Sequence, residues 1–154
     1  MISEGAKVPE LTLIDHAGKS AQLSTFKGKK VVLYFYPEDD TPGCTKEACA
    51  FRDNYTIIQK TGAEILGVSM DDQNAHQKFR QKYNLPFPLL VDDKADLAKA
   101  FGVYVQKNLF GRKYWGIERS TFIIDAEGFV KKIFRKVKVD GHEQEVLAAL
   151  KDLS

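Results

Sequence analysis

Cysteine is nearly absent from this chain: two in 154 residues, Cys44 and Cys49. So few exclude a disulfide-stapled secreted scaffold and turn attention to metal or redox chemistry. Histidine is equally sparse. His16, His76 and His142 lie far apart, without the ligand spacing of a zinc site, and each reads as a surface or capping residue. No excess of one charge exists either. With 23 Lys and Arg against 21 Asp and Glu, the formal net charge is +2, and neither nucleic acid nor a membrane is implied as a partner. No apolar run approaches the length of a membrane span. Met1 to Gly5 lacks the basic and apolar regions of a signal peptide, so a cytoplasmic protein is expected. The chain has no Walker loop, no G-x-G-x-x-G, no Ser-His-Asp arrangement, no repeat and no linker. One domain over residues 1–154 is expected, and 44% hydrophobic residues are enough to build its core.

The segments that are present alternate. Leu11–Ile14 and Ala21–Leu23 flank an Asp15–Gly18 turn and predict a short hairpin. Val31–Tyr36 is a continuous apolar, β-branched and aromatic run, which predicts a central strand buried on both faces. A helix follows, to about Lys60. Glu64–Ser69 reads as a strand. Asp71 or Asp72 caps a helix with Ala75, Phe79 and Tyr83 on its apolar face. Then come a strand at Leu89–Val91 and a helix from Asp93 to Phe101 closed by Gly102. Residues 104–118 predict a loop or hairpin. Thr121–Ile124 reads as a buried strand, and Phe129–Val139 as a lysine-rich, solvated edge strand. Asp140 and Glu143 form the pattern of a capping box for a last helix. This order predicts an α/β protein with a mixed central sheet flanked by helices. It matches a thioredoxin-like fold with an N-terminal β-hairpin and an insertion.

The two cysteines sit in Thr41-Pro42-Gly43-Cys44-Thr45-Lys46-Glu47-Ala48-Cys49. Threonine suits a helix N-cap and proline the first helical position. Cys44 then falls in the first turn, where unpaired N–H groups and the helix dipole favour an anion. The thiolate is the nucleophilic form of cysteine. At 100° per residue, Cys44, Ala48, Phe51, Tyr55 and Ile58 share one stripe that faces the core, and Cys49 points away from it. In an intact helix the two Cα atoms would be ~8.6 Å apart, whereas a disulfide spans at most about 7 Å. A bond between them requires the first turn or two to unwind. The rival reading is a buried small hydrophobe at Cys44 and an incidental residue at Cys49.

The phrase from Tyr36 to Cys49, with Pro37, Thr41 and Cys44 in order, resembles the active-site motif of peroxiredoxins. It is similar in particular to the bacterioferritin comigratory protein, or PrxQ, branch, as is Gly116–Asp125 around Arg119. The likeness runs over nearly the whole chain. It implies thiol-dependent reduction of hydrogen peroxide and organic hydroperoxides without a cofactor, in antioxidant defence. Cys44 would be the peroxidatic cysteine and Cys49 the resolving one, joined in an intramolecular disulfide. Thr41 would offer its hydroxyl to thiolate and peroxide, Arg119 a fixed positive charge, and Pro37 a shield against water. Gly43 would supply a backbone donor at the helix start, and Glu47 would orient Arg119. Thioredoxin or a similar dithiol would restore the thiols. A monomer is expected over an isologous dimer.

Each assignment has a plainer rival. Thr41 can be only a cap bonding the Cys44 N–H, and Pro37 only a strand stop. Arg119 can be a surface residue paired with Glu118 or Glu47, and Glu47 a solvated helix acid. Phe110, Tyr114 and Trp115 either line the way into the site or cover a core edge. At the level of function, a general thiol–disulfide oxidoreductase and a redox-sensing binding module compete with the peroxidase. C-x-x-C, usual at the helix start of such oxidoreductases, is absent here.

Overall fold

The computed structural model describes residues 2–153. Its centre is β3 (Lys30–Phe35), whose alternate side chains serve two cores. Val32, Tyr34 and Tyr36 face one side of the sheet. They pack with residues from α1 (Pro42–Asp53), α2 (Tyr55–Lys60), α3 (Gln73–Lys82) and α5 (His142–Asp152). Val31, Leu33 and Phe35 face the other side, against α4 (Asp96–Phe101) and a 3-10 turn at Leu23–Phe26. Being covered on both faces is why β3 reads as an unbroken apolar run.

Seven strands form the main sheet. β3 pairs in parallel with β4 (Ala63–Ser69), and β4 with β5 (Leu89–Val91). β1 (Leu13–Asp15) and β2 (Ser20–Ala21) extend that side antiparallel. On the other side β8 (Ser120–Ile124) runs antiparallel to β3, and β9 (Val130–Phe134) forms the far edge. The inserted segment is a separate two-stranded hairpin of β6 (Tyr104–Leu109) and β7 (Arg112–Ile117). Phe110 and Gly111 both have positive φ at its tip, as a two-residue turn matched to strand twist requires. The expected mixed α/β architecture is therefore observed.

Several local expectations are corrected. The helix expected to run to Lys60 breaks at Asn54, whose side-chain amide donates to the Ala50 carbonyl at 2.9 Å and competes with the helical ladder. The helix expected from Asp93 starts at Asp96. The Asp92 carboxylate accepts from Leu97 and Ala98 N–H at 3.0 and 2.9 Å and takes the capping role. The Asp140–Glu143 capping box does not form. Gly141 occupies the N-cap with φ 78°, and Asp140 pairs instead with Lys46. β9 ends at Phe134, not Val139, and Arg135 is not a solvated strand residue. Its guanidinium lies 5.5 Å over the Phe122 ring and donates to the Gly102 and Ile2 carbonyls. Leu23 sits in the 3-10 turn rather than in a hairpin strand.

Candidate active site

The sheet order brings two distant segments together. β3 delivers the chain through Pro37–Thr41 into α1, while Phe35 pairs with Ser120 at the start of β8. Arg119, one residue before that pair, therefore arrives beside the N-terminus of α1. Pro42 occupies the first helical position, and Thr41 the N-cap with extended backbone, as expected. The Thr41 side chain, however, does not cap. Its hydroxyl donates to the Glu38 carbonyl at 2.9 Å, and the cap reading that bonded it to the Cys44 N–H is corrected.

Cys44 is 1% exposed and lies on the predicted stripe with Ala48, Phe51 and Ile58. Both cysteines are free thiols, with Cys49 only partly buried. Arg119 Nη2 donates to Cys44 Sγ at 3.4 Å, and its Nη1 donates to Glu47 Oε1 at 2.7 Å. One planar fork thus holds a sulfur and a carboxylate one helical turn apart. Gly43 eases this approach: a Cβ there would lie 3.3 Å from Arg119 Nη2, and the guanidinium would have to give by a few tenths of an ångström. Pro37 is exposed where the chain leaves β3.

Glu47 is 2% exposed, which rules out the solvated-acid reading. Burial raises its pKa to about 7, against the opposing pull of the Arg119 charge and hydrogen bond. Its second oxygen, and the hydroxyl of Tyr34, are buried without a hydrogen-bond partner among the described residues. The plainer reading of Arg119 is half right. Its partner is Glu47, but its side chain is only 16% exposed and also reaches the thiol.

The sequence reading missed Lys107. Burial, and then the charge of Arg119, lower its pKa, while Cys44 and Glu118 act to raise it. The hairpin register sets its place: Lys107 pairs across from Tyr114, and its stem lies against Gly116. The hairpin aromatics divide: Phe110 and Tyr114 are 100% and 45% exposed, whereas Trp115, at 58%, stacks on Tyr104 at 5.5 Å, and Tyr104 packs against the core under α4. The histidines correct another expectation. His76 and His142 are fully buried, not surface residues. His142 Nε2 meets Thr121 Oγ1 at 2.7 Å, and its Nδ1 meets Glu145 at 2.9 Å. Asp39, Asp71 and His76 cluster closely enough to suggest a metal site. Both His76 nitrogens are already engaged, however, by Asp39 and by the Leu90 carbonyl.

Residues 5–133 match the model of the AhpC/TSA family. The chain is 54% identical to peroxiredoxin Bcp of Bacillus subtilis, over 99% of this chain and 98% of that one. Among solved structures it is similar to Xanthomonas campestris peroxiredoxin Q. The TM-score is 0.92 at 40% identity, covering 99% of this chain and 100% of that one. Xylella fastidiosa PrxQ superposes with a TM-score of 0.94 at 35% identity, over 99% and 97% of the two chains. A thiol gripped by an arginine at a helix start, on this fold and with these relatives, has one reading: the chain belongs to the AhpC/TSA family, in its peroxiredoxin branch of the Bcp and PrxQ type.

Proposed function

We propose that Cys44 and Cys49 carry out the two thiol steps of this enzyme, a thiol peroxidase of the peroxiredoxin type. The observation that carries the assignment is the Arg119 fork, which joins Cys44 Sγ to Glu47 at the first turn of α1. The Cys44 thiolate attacks the terminal oxygen of the peroxide. The O–O bond breaks, its electron pair leaves with the departing oxygen, and that oxygen takes a proton to leave as water or an alcohol. Cys44 becomes a sulfenic acid. Arg119 stabilises charge both on the sulfur and on the departing oxygen. Glu47 fixes the guanidinium plane, and the Gly43 and Cys44 N–H groups add donors at the helix start. Thr41, whose proton goes to Glu38, presents oxygen lone pairs to the peroxide O–H. Pro37, exposed where the chain leaves β3, would limit water at the thiol.

The sulfur of Cys49 then attacks Cys44–SOH. An S–S bond forms and hydroxide departs, taking up the Cys49 proton as water. The helix must open for this, because the two Cα atoms in intact α1 lie ~8.6 Å apart. A thioredoxin-like dithiol reduces the disulfide by exchange and is itself oxidised. Two cysteines that must return to thiols suit the cytoplasm, and every residue of the scheme comes from one chain, so a monomer suffices. Family membership favours this scheme over dithiol exchange and over a redox sensor.

The test is mass spectrometry and peroxide consumption on single variants. Cys44→Ser should consume no peroxide. Cys49→Ser should consume one equivalent and stop at a sulfenic acid, while the unaltered chain forms a Cys44–Cys49 link. Sustained turnover by Cys44→Ser with thioredoxin would refute the assignment.

A further inference from the structure

The loop that leads into α1 is held by α3. His76 is fully buried. Its Nε2 lies 2.7 Å from the Leu90 carbonyl oxygen, which can only accept, so that nitrogen carries a hydrogen. Its Nδ1 lies 2.6 Å from Asp39 Oδ2, a second acceptor. A ring that satisfies both is an imidazolium donating at each end. Asp39 is anchored further. Its other oxygen accepts from the Tyr36 hydroxyl at 2.6 Å, and its N–H donates to Asp71 at 2.9 Å. The Ser69 hydroxyl also donates to Asp71. Beside it, Asp40, at φ 56°, takes Lys82 and the Tyr83 hydroxyl. Two residues later α1 begins.

We propose that His76 is a positioning residue for the peroxide chemistry. Through Asp39 it holds the Asp39–Thr41 segment, and with it the first turn of α1, where Cys44 meets Arg119, and its release favours the unwound form in which Cys44 can reach Cys49. This rests on the reading of Cys44 and Cys49 given above.

The groups around the ring come from several elements: Tyr36, its ring centroid 6.4 Å away, and Asp39 from the segment after β3, Asp71 after β4, Leu90 from β5, and His16 from the β1–β2 turn. At the N-cap of α3 the Asp72 carbonyl receives the His76 backbone N–H, and Arg80 lies one turn on from His76. Burial works against charge on His76. The hydrogen bond and charge of Asp39, then the Leu90 carbonyl and Asp71, outweigh it and carry the histidine above its ordinary value. His16 is shifted the other way, by burial first and then by Arg80. The two acceptors at opposite ends of the ring hold the clamp while His76 is protonated, and it is lost as pH rises through the raised His76 value.

The test uses Asp39→Asn and His76→Gln in the whole chain, with hydrogen peroxide in stopped flow. Both variants should slow the oxidation step about tenfold, as expected for a displaced nucleophile, and speed disulfide formation severalfold. The alkaline decline of the oxidation rate in the unaltered protein should vanish in both. A residue that merely supported the fold would slow both steps together. That result, or both rates within twofold of the unaltered protein, would overturn the proposal. Should His76→Gln not fold, Asp39→Asn carries the rate test. NMR of the unaltered protein gives a second arm: both His76 nitrogens should be protonated at pH 7, and a neutral ring would overturn the clamp. Amide exchange separates the two readings. Asp39→Asn should raise exchange at Cys44 and Thr45 about tenfold even in a chain that proved inert to peroxide. Inertness would then sink the peroxidase assignment, whereas unchanged exchange would sink the clamp.

Discussion

At the scale of single residues, the site turns on what one guanidinium can hold. Arg119 reaches Glu47 and Cys44 with separate nitrogens, and a lysine ammonium cannot reproduce that fork. Arg119→Lys should lower the rate constant for peroxide about a hundredfold, the usual scale for losing one charge-stabilising contact. Stopped-flow oxidation measures it, and a rate within threefold of the parent would contradict the role. Glu47 gives a second expectation, in pH. Its folded value of about 7 stands above the ordinary 4.5, so the folded state holds the proton more tightly than the unfolded chain. Stability therefore falls as pH rises between those values, by about 3 kcal/mol if the whole difference is realised. Glu47→Gln cannot ionise and should lack this fall. Denaturation at pH 5 and pH 8 should find the variant gaining on the parent at the higher pH, and parallel losses would refute the assignment.

At the scale of elements, α1 has to be both stable and ready to open. Gly43 sits where these demands meet. Gly43→Ala would press a methyl group against Arg119 Nη2 at 3.3 Å, and would also stiffen the helix start by roughly 0.5–1 kcal/mol. Both the oxidation step and the disulfide step should slow. The lingering sulfenic acid should then be carried on to sulfinic acid at lower peroxide, as intact-mass measurement would reveal. A variant that slows oxidation alone would show that the helix start does not limit opening. Much of this element could be read from sequence, because Thr41, Pro42 and the Cys44–Ala48–Phe51–Ile58 stripe act within one helix. The break at Asn54 could not: it depends on a side chain competing for the Ala50 carbonyl, and asparagine is common enough in helices to give no warning. The helix expected from Asp93 starts late because Asp92 caps it from outside, and the expected Asp140–Glu143 box fails because Asp140 goes to Lys46 on another element. The Asp39–His76 link joins residues 37 positions apart and has no local signature at all. Arg119 was legible only through the resemblance, since its pairing with Cys44 needs the antiparallel register of β3 and β8.

At the scale of the molecule, the two cores differ in how far they enter the chemistry. Cys44, Ala48 and Phe51 belong to the core under α1, while the core under α4 contains no residue of the site. Oxidation that unwinds the start of α1 must withdraw Cys44 from one core and part Glu47 from Arg119, and leave the other core whole. The disulfide form should therefore melt below the reduced form. With each kcal/mol worth about 2–4 °C in a domain of this size, a drop of several degrees is expected in calorimetry. Equal or higher melting of the disulfide form would mean that α1 does not give up its packing. The same core is tightly packed beneath the strands. Gly67 lies where a Cβ would meet Leu89 at 2.8 Å and the Tyr34 ring at 3.1 Å, so Gly67→Ala should cost the reduced form about 1–3 kcal/mol. Denaturation curves of the reduced protein would check that loss.

The rims of the main sheet carry a last consequence. One border is β2, only two residues long, and the other is β9, with Lys131 and Lys132 pointing into solvent. Short or lysine-studded borders are poor templates for strand addition by another chain. A protein that loosens a helix in every round of work thus bares some greasy surface without offering a ladder on which fibrils could grow, and repeated oxidative stress should leave it dispersed in water.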